Sequence, residues 1–570
     1  MRPRYVERLR LSVATACVLV VFGAASASAA KPGFSGGEAM STASSAASVA
    51  APVASVRWSA GVGAVLPADA SPNSTAFIES VSCPSAGNCG AVGFYVDSAG
   101  HSEGLLLAET AGRWTLGVEA VLPANAATDP SVRLNSISCA SAGNCSAVGD
   151  YKAEDSSGFS EGLLLTETAG SWGTGVEAVL PADGATAIEG SSLVAVSCAS
   201  AGNCSAVGSS FDGTGNFPGL LVTETAGTWA AGVDAPLPAN AATSPYTESP
   251  LRAVSCASAG NCGAVGYYVD SSRTCQGLLL AETDGSWATG VEALPANAVG
   301  CAVTFAVSCP SAGNCSADLG DYLLTETAGN WPTVLKPVLP ANACPVGPGP
   351  GQCDGNYGGS GSISCASAGN CTAVGDYTDS SGGDADLLLT ETAGRWRAGV
   401  EAPRPANAAA SDASLTSVSC APTGYCSAVG QYGAGGLLLT KSAGKWTAAR
   451  AALPANAAKA PDRYAYLYSV SCAFAGHCSA VGIYHDSSGN TQGLLLDSHP
   501  LPPCVVPMLE GKTLAAARHS LRSHACTLGK VNHAASQTIK KGFVISQKPK
   551  PGRRLQHGAK VNVVVSKGTR

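Results

Sequence analysis

The residues best placed to do chemistry in this 570-residue chain are its 23 cysteines. Sixteen of them form eight C-x5-C pairs: Cys83/Cys89, Cys139/Cys145, Cys198/Cys204, Cys256/Cys262, Cys309/Cys315, Cys365/Cys371, Cys420/Cys426 and Cys472/Cys478. A zinc site needs further Cys or His donors at ligand spacing, and none recurs beside the pairs. The intervening loop, usually Ser-Ala-Gly-Asn preceded by Ala or Pro, has the small residues of a tight hairpin, in which Gly and Asn tolerate positive φ. Each pair is therefore read as a disulfide across a hairpin, worth about 2 kcal/mol by loop entropy. Cys275, Cys301, Cys344 and Cys353 fall outside the pattern. They are read as Cys275–Cys301 and Cys344–Cys353, although spacing alone leaves their connectivity open.

The acidic residues behave as parts of a repeat. Glu109, Glu167, Glu224, Glu282, Glu326 and Glu391 recur at one strand position. A catalytic pair should break the repeat, so these read as a ring of solvated or structural side chains. Asp97, Asp155, Asp270, Asp379 and Asp486 recur in Asp-Ser-Ser/Ala-Gly turns, where Asp bonds its own backbone. Too few oxygen ligands cluster there for calcium. His477, His485 and His499 belong to the last copy, the first two at opposite ends of it, and read as surface residues. No catalytic residue, cofactor or metal is expected.

These residues are positioned by a repeat of about 55 residues, with cysteine pairs 52 to 59 residues apart. Each unit holds four β-type runs, in the second copy ending SISC, then NCSAVG, GLLLTET and W-x-x-GVEA. Three successive leucines require burial on both faces, as stacked sheets provide. Four strands per unit predict an all-β, eight-bladed β-propeller with one hairpin disulfide per blade, or seven blades if the short fifth unit forms no full sheet. The eighth unit stops after GLLLD, while an orphan fourth strand, Arg57 to Val62, precedes the first pair. The N-terminal strand is expected to complete the last blade, a three-plus-one closure that assigns one tryptophan to each blade: Trp58, Trp114, Trp172, Trp229, Trp287, Trp331, Trp396 and Trp446. The loop between second and third strands and the crossovers vary most, as at Asp318 to Asp321 and Pro345 to Gly361. That face is where an unknown protein or glycan ligand is expected.

Residues 1–29 read as a signal peptide, with Arg2, Arg4, Arg8 and Arg10 before an apolar core and Ala27-Ser28-Ala29 as cleavage site. Cys17 lies inside that core. Residues 30–54 form an Ala/Ser/Gly-rich linker, 55–499 the propeller and 504–570 a separate module. No later stretch reaches the roughly 18 apolar residues of a membrane span. The net charge of −7 conceals a split: residues 504–570 carry 13 Lys and Arg against the single acid Glu510, hence +12, and the remainder carries 20 basic and 39 acidic residues, hence −19. A uniformly basic nucleic-acid binder is excluded.

The turn Thr-Glu-Thr-Ala-Gly-x-Trp is similar to the Asp-box of sialidase-like propellers, with Thr at the Asp position and the Gly-to-Trp spacing one residue shorter. That resemblance implies the fold. The arginine triad of sialidases has no counterpart, since Arg113, Arg252, Arg395, Arg397 and Arg404 mostly occupy repeat-equivalent turns. The C-terminus, with Val506-Pro507-Met508-Leu509-Glu510-Gly511-Lys512-Thr513-Leu514, Gly529-Lys530-Val531, Val544-Ile545-Ser546-Gln547-Lys548-Pro549 and Val561 to Ser566, resembles a PASTA domain over residues 504–570. The resemblance implies a small α+β fold: a short strand, a helix to Ala525 with Leu514, Ala517, Leu521 and Ala525 on one face, and a small antiparallel sheet. Cys504 and Cys526 bracket that helix and are read as bridging it. It also implies a bacterial source, which sets aside the Asn-x-Ser/Thr sequence at Asn73, and contact with peptidoglycan or an anionic wall polymer. The function expected is a secreted, cell-wall-associated binding or scaffold protein. A carbohydrate-active glycosidase or lyase and a purely structural repeat protein are the alternatives.

Overall fold

The computed structural model describes residues 56–569 apart from 155–157, 182–189, 212–215, 244–247, 294–304, 321, 332–333, 346–356 and 406–412. The expected signal peptide and linker, with Asp155, Asp321, Cys301 and Cys353, lie outside the described residues. Among the described residues the chain is all-β except for one α-helix.

Eight small antiparallel sheets follow one another, one per repeat. In the second, Arg133–Ser141 pairs with Asn144–Tyr151, which pairs with Glu161–Thr168. The fourth strand is broken into Ser171–Trp172 and Val176–Glu177, both paired with Glu161–Thr168. The break falls at Gly175. Its N–H donates to Val121 O of the preceding connection at 2.6 Å, and a Cβ there would lie 2.8 Å from Leu163 Cδ1. In the seventh sheet Ala449 pairs with Leu438 as Val176 pairs with Leu164, with one residue fewer after the tryptophan and no such glycine, and Lys445–Arg450 runs unbroken. The fifth sheet holds three strands, Phe305–Ser311, Asn314–Leu319 and Leu323–Thr325.

Alternation in the leucine run joins each sheet to both neighbours. Leu163 and Leu165 pack with Val92 and Leu106 of the first sheet, and Leu164 with Leu193 and Val196 of the third. All three leucines are at most 1% exposed, each contributing about 1.5–3 kcal/mol by burial.

The first strand of every sheet is a free edge whose outward N–H groups need acceptors. Cys139 faces Cys145 across the hairpin with Cα atoms 3.9 Å apart, a narrow pair whose N–H groups point away from each other. Its N–H donates to Ser82 Oγ of the preceding sheet at 2.9 Å. The same bond repeats from Cys198 to Ser138, Cys256 to Ser197, Cys309 to Ser255, Cys365 to Ser308, Cys420 to Ser364 and Cys472 to Ser419, at 2.7–3.1 Å. Cys83 N–H donates to Ser471 Oγ at 2.8 Å, which returns the series from the eighth sheet to the first. A second rung lies two residues earlier, for example Val196 to Ser136 and Val81 to Ser469. These serines are buried. Val56–Trp58 also pairs with Thr491–Pro500 of the eighth sheet, and Val62–Gly63 pairs with Leu494 and Leu495.

In the C-terminal module, Thr527–Ala534 runs parallel to Lys560–Ser566 and Val544–Lys548 antiparallel to it, so the sheet is mixed and not antiparallel as expected. Helix α1, Leu514–Ser523, is capped by Thr513 Oγ1, which accepts from Ala516 N–H at 3.2 Å. It stops short of Ala525, which turns the chain with φ of 56° so that Cys526 can bond Leu521 O. Ala517 and Leu521 face a core of Val506, Leu509, Val561 and Val563, and Leu514 is only partly buried.

Ser138→Ala leaves the buried Cys198 N–H without an acceptor and should lower unfolding free energy by about 1–3 kcal/mol in denaturant titration. The exposed-strand change Ser171→Ala should cost less than about 0.5 kcal/mol. Equal losses would remove the role given to the serine.

Candidate functional site

Each sheet has a hairpin end and a loop end. At the hairpin end the two hairpins of one sheet lean together. Gly170 N–H donates to Gly143 O at 2.8 Å, and a Cβ on Gly143 would lie 2.8 Å from Gly170 N. Asn144 Nδ2 donates to Ser141 Oγ and Ala142 O, while its Oδ1 accepts from Ala169 N–H. Asn144 is thus a clamp between hairpins. Positive φ in the cysteine loop falls on Gly143, and the expected positive-φ role of the asparagine is corrected.

The recurrent glutamates line the seams beside these hairpins. Glu109, Glu167, Glu224, Glu282, Glu326 and Glu391 are 1–8% exposed, which removes the solvated reading and leaves the structural one. Glu224 accepts from Ser146 and Thr166 of the preceding sheet, both at 2.9 Å. Thr166 in turn accepts from Trp229 Nε1 at 3.1 Å. Glu391 is held in the same way by Ser316 and Thr325, and Trp396 donates to Thr325. Sheet one carries Gly90 and Ala108 where sheet two has Ser146 and Thr166. Glu167 therefore faces a cleft of about 290 Å³, and burial raises its proton affinity.

Where the eighth sheet meets the first, the repeat breaks. Asp497 replaces the threonine and accepts from Ser479 Oγ and Trp114 Nε1. Burial, then Asp497, pushes Glu109 up to about 7. His477 and His499 line the same cleft; burial, then His499, lowers the proton affinity of His477. Unlike carboxylates beside histidines are acid–base chemistry in kind. The cleft, however, measures about 10 Å³, room for about one water and no substrate.

At the loop end, Tyr151 Oη donates to Asn125 and Glu177, Tyr268 to Asn240 and Glu292, and Tyr377 to Asn342 and Glu401. Asp97, Asp270, Asp379 and Asp486 accept from backbone N–H groups of their own turns. Ser98, Ser271, Ser380 and Ser487 N–H bond the crossover carbonyls of Asp69, Asn240, Asn342 and Asn456, which brings loops and crossovers to one face. Asp386 stands where all the remaining repeats except the fifth carry glycine; it is 1% exposed, and burial raises it to about 7. Arg252 lies within strand Leu251–Ser258, not in a turn, and its guanidinium sits over Tyr267. Arg404 pairs with Glu401 at 3.3 Å.

In the C-terminal module all twelve described Lys and Arg are exposed, as is Glu510. Lys548, Lys550, Arg553 and Arg554 crowd one short connection. Among the described residues none of them forms an ion pair within the module.

The sulfurs are within bonding distance in Cys83–Cys89, Cys139–Cys145, Cys198–Cys204, Cys256–Cys262, Cys309–Cys315, Cys365–Cys371, Cys420–Cys426, Cys472–Cys478 and Cys504–Cys526. Cys275 and Cys344 are also disulfide-bonded. The inter-sheet serines and the hydroxyl partners of the glutamates escaped the sequence reading, although a serine precedes the first cysteine in every copy.

The buried glutamates set a pH dependence. Groups raised in the folded state, Glu109 and Asp386 to about 7, add stability below their ordinary carboxylate range and lose it as pH rises through about 7. The thermal midpoint should fall between about pH 5 and pH 8, and Glu109→Gln should make that fall shallower. A midpoint that climbs steadily to pH 8 would contradict the buried, unionised state.

Residues 505–567 match the family model for the PASTA domain. The C-terminus is 33% identical over 63 residues to a probable serine/threonine-protein kinase of Clostridium acetobutylicum, covering 11% of this chain and 10% of the kinase. The chain thus spans about a tenth of the curated relative it matches. The β-propeller domain of the Trilobed protease from Pyrococcus furiosus aligns at TM-score 0.36 and 6% identity, over 74% of this chain and 95% of that one. Trypanosoma rangeli sialidase in complex with the inhibitor DANA aligns at 0.33 and 12%, over 67% and 56%. At that distance neither likeness brings an activity to this chain. Residues 505–567 are a PASTA domain.

Proposed function

We propose that this is an exported bacterial cell-envelope protein. In this reading residues 1–29 are a signal peptide and 30–54 a linker. Residues 55–499 form an eight-bladed β-propeller closed three-plus-one, a non-catalytic surface for a protein or glycan partner. Residues 504–570 are the PASTA module and contact peptidoglycan or an anionic wall polymer.

The observation that carries the wall contact is the twelve exposed cations around one exposed acid. Such a field draws in carboxylates and phosphates, and salt screens it. The serine series and the N-terminal strand on the eighth sheet support the closed propeller. Cysteine pairs at bonding distance suit an oxidising compartment. Exposed valines on and beside the outer strands, among them Val118, Val121, Val176, Val179 and Val400 at 49–60%, offer apolar surface to a partner. The glycosidase or lyase reading has less support, because the seam with unlike carboxylates has no room for a sugar.

The full chain should co-sediment with purified sacculi at low salt and release as salt rises. Charge reversal at Lys550, Arg553 and Arg554 to Glu should cut the bound fraction at least about fivefold, as loss of several phosphate or carboxylate contacts would. Binding that ignores both salt and the triple change would sink the electrostatic wall contact.

A further inference from the structure

Sheet one departs from its siblings at the loop end. In sheet four Gln276 Nε2 donates to Asp270 Oδ2 at 3.0 Å. In sheet eight Gln492 Nε2 and Asn490 Nδ2 approach Asp486 Oδ2 at 3.5 and 3.2 Å. An amide therefore faces the second oxygen of the turn aspartate in both. Sheet one has Glu103 where those sheets have glutamine and His101 where sheet eight has Asn490.

Asp97 Oδ1 is occupied by the N–H groups of Ala99 and His101, at 2.9 and 2.7 Å. Its Oδ2 lies 3.6 Å from His101 Nδ1. One donor atom from each of Asp97, His101 and Glu103 falls within 4.8 Å of the other two. Glu103 is only 8% exposed, and its charged surroundings are other carboxylates, Glu119, Asp97, Asp69 and Asp129, with no hydrogen bond to its oxygens among the described residues. A buried carboxylate close to a second carboxylate and an imidazole, with the imidazole nitrogen the one group of the three side chains able to donate, has the geometry of a cation site lacking only its charge.

We propose that Asp97, His101 and Glu103 bind a divalent transition-metal ion of the zinc class at the loop end of the first sheet. Two carboxylate oxygens and one imidazole nitrogen suit such an ion better than calcium, which takes six to eight oxygens. Three protein donors leave a coordination position for water or for a donor from a bound partner. The ion would also fasten the Asp97 turn to the start of the third strand, as the amide does in sheets four and eight.

Glu103→Gln separates metal binding from folding, because it installs the residue that sheets four and eight already carry. After chelator treatment, calorimetric titration of the full chain with Zn²⁺ at neutral pH should give one more site in the wild type than in Glu103→Gln or His101→Ala. Zn²⁺ should raise the wild-type thermal midpoint more than that of either variant. Without metal, Glu103→Gln should melt at or above the wild type. The PASTA histidines are common to all three proteins, so the difference in stoichiometry reports this site. Equal stoichiometry in the three, or a site that takes Ca²⁺ or Mg²⁺ in preference to Zn²⁺, would overturn the proposal.

Discussion

A β-strand at the free edge of a sheet carries N–H groups that must find acceptors, and each one buried without a partner costs about 1–3 kcal/mol. Eight such edges are brought together here. A serine one residue before each first cysteine reaches the edge of the next sheet, and the bond from Cys83 to Ser471 returns the series to its start. The serine is short enough to let strands approach closely, and its hydroxyl donates as well as accepts. Threonine or asparagine would bring bulk to a buried position, and alanine would leave the edge unpaired.

With the inner edges held, the rest of each sheet follows from alternation. Leu163 and Leu165 turn to one neighbour and Leu164 to the other, so a three-residue apolar run fills two seams. The glutamate two residues beyond Leu165 enters the same seam as Leu163 and Leu165, where in the other seams Ser and Thr of the adjoining sheet hold the glutamate and the Trp of its own sheet bonds that Thr. When those hydroxyls become Gly90 and Ala108, the seam opens into a cleft. The repeat thus supplies scaffold and variation together: substitution at one sheet changes the environment of a side chain on the next.

The cysteine pairs, the tryptophan period and the orphan strand at Arg57 to Val62 were legible because each is a pattern within a single copy or a mismatch at the array's ends. Residues whose partners lie in another copy were not. Ser138 reads as a small polar residue beside a cysteine, and its acceptor role appears only when Cys198, sixty residues on, packs against it. Glu224 reads as a solvated or structural acid, since acids are seldom buried, and only Ser146 and Thr166 holding it decide for the second. The break in the fourth strand was hidden for a similar reason, as Gly175 answers to the carbonyl of Val121 in a different repeat. In the PASTA domain the antiparallel sheet was what the family resemblance implied, and apolar alternation could not correct it. Alternation carries no direction, so the parallel pairing of Thr527–Ala534 with Lys560–Ser566 could not be read from it.

The proposed closure of the series of sheets is tested most directly by amide hydrogen exchange on the full chain, resolved at the first cysteine of each repeat. Closure predicts that Cys83, whose acceptor lies 388 residues away, exchanges as slowly as Cys198, and that Val81 is protected with Val196. Rapid exchange at Cys83 and Val81, with protection retained from Cys139 to Cys472, would show an open array and contradict the ring.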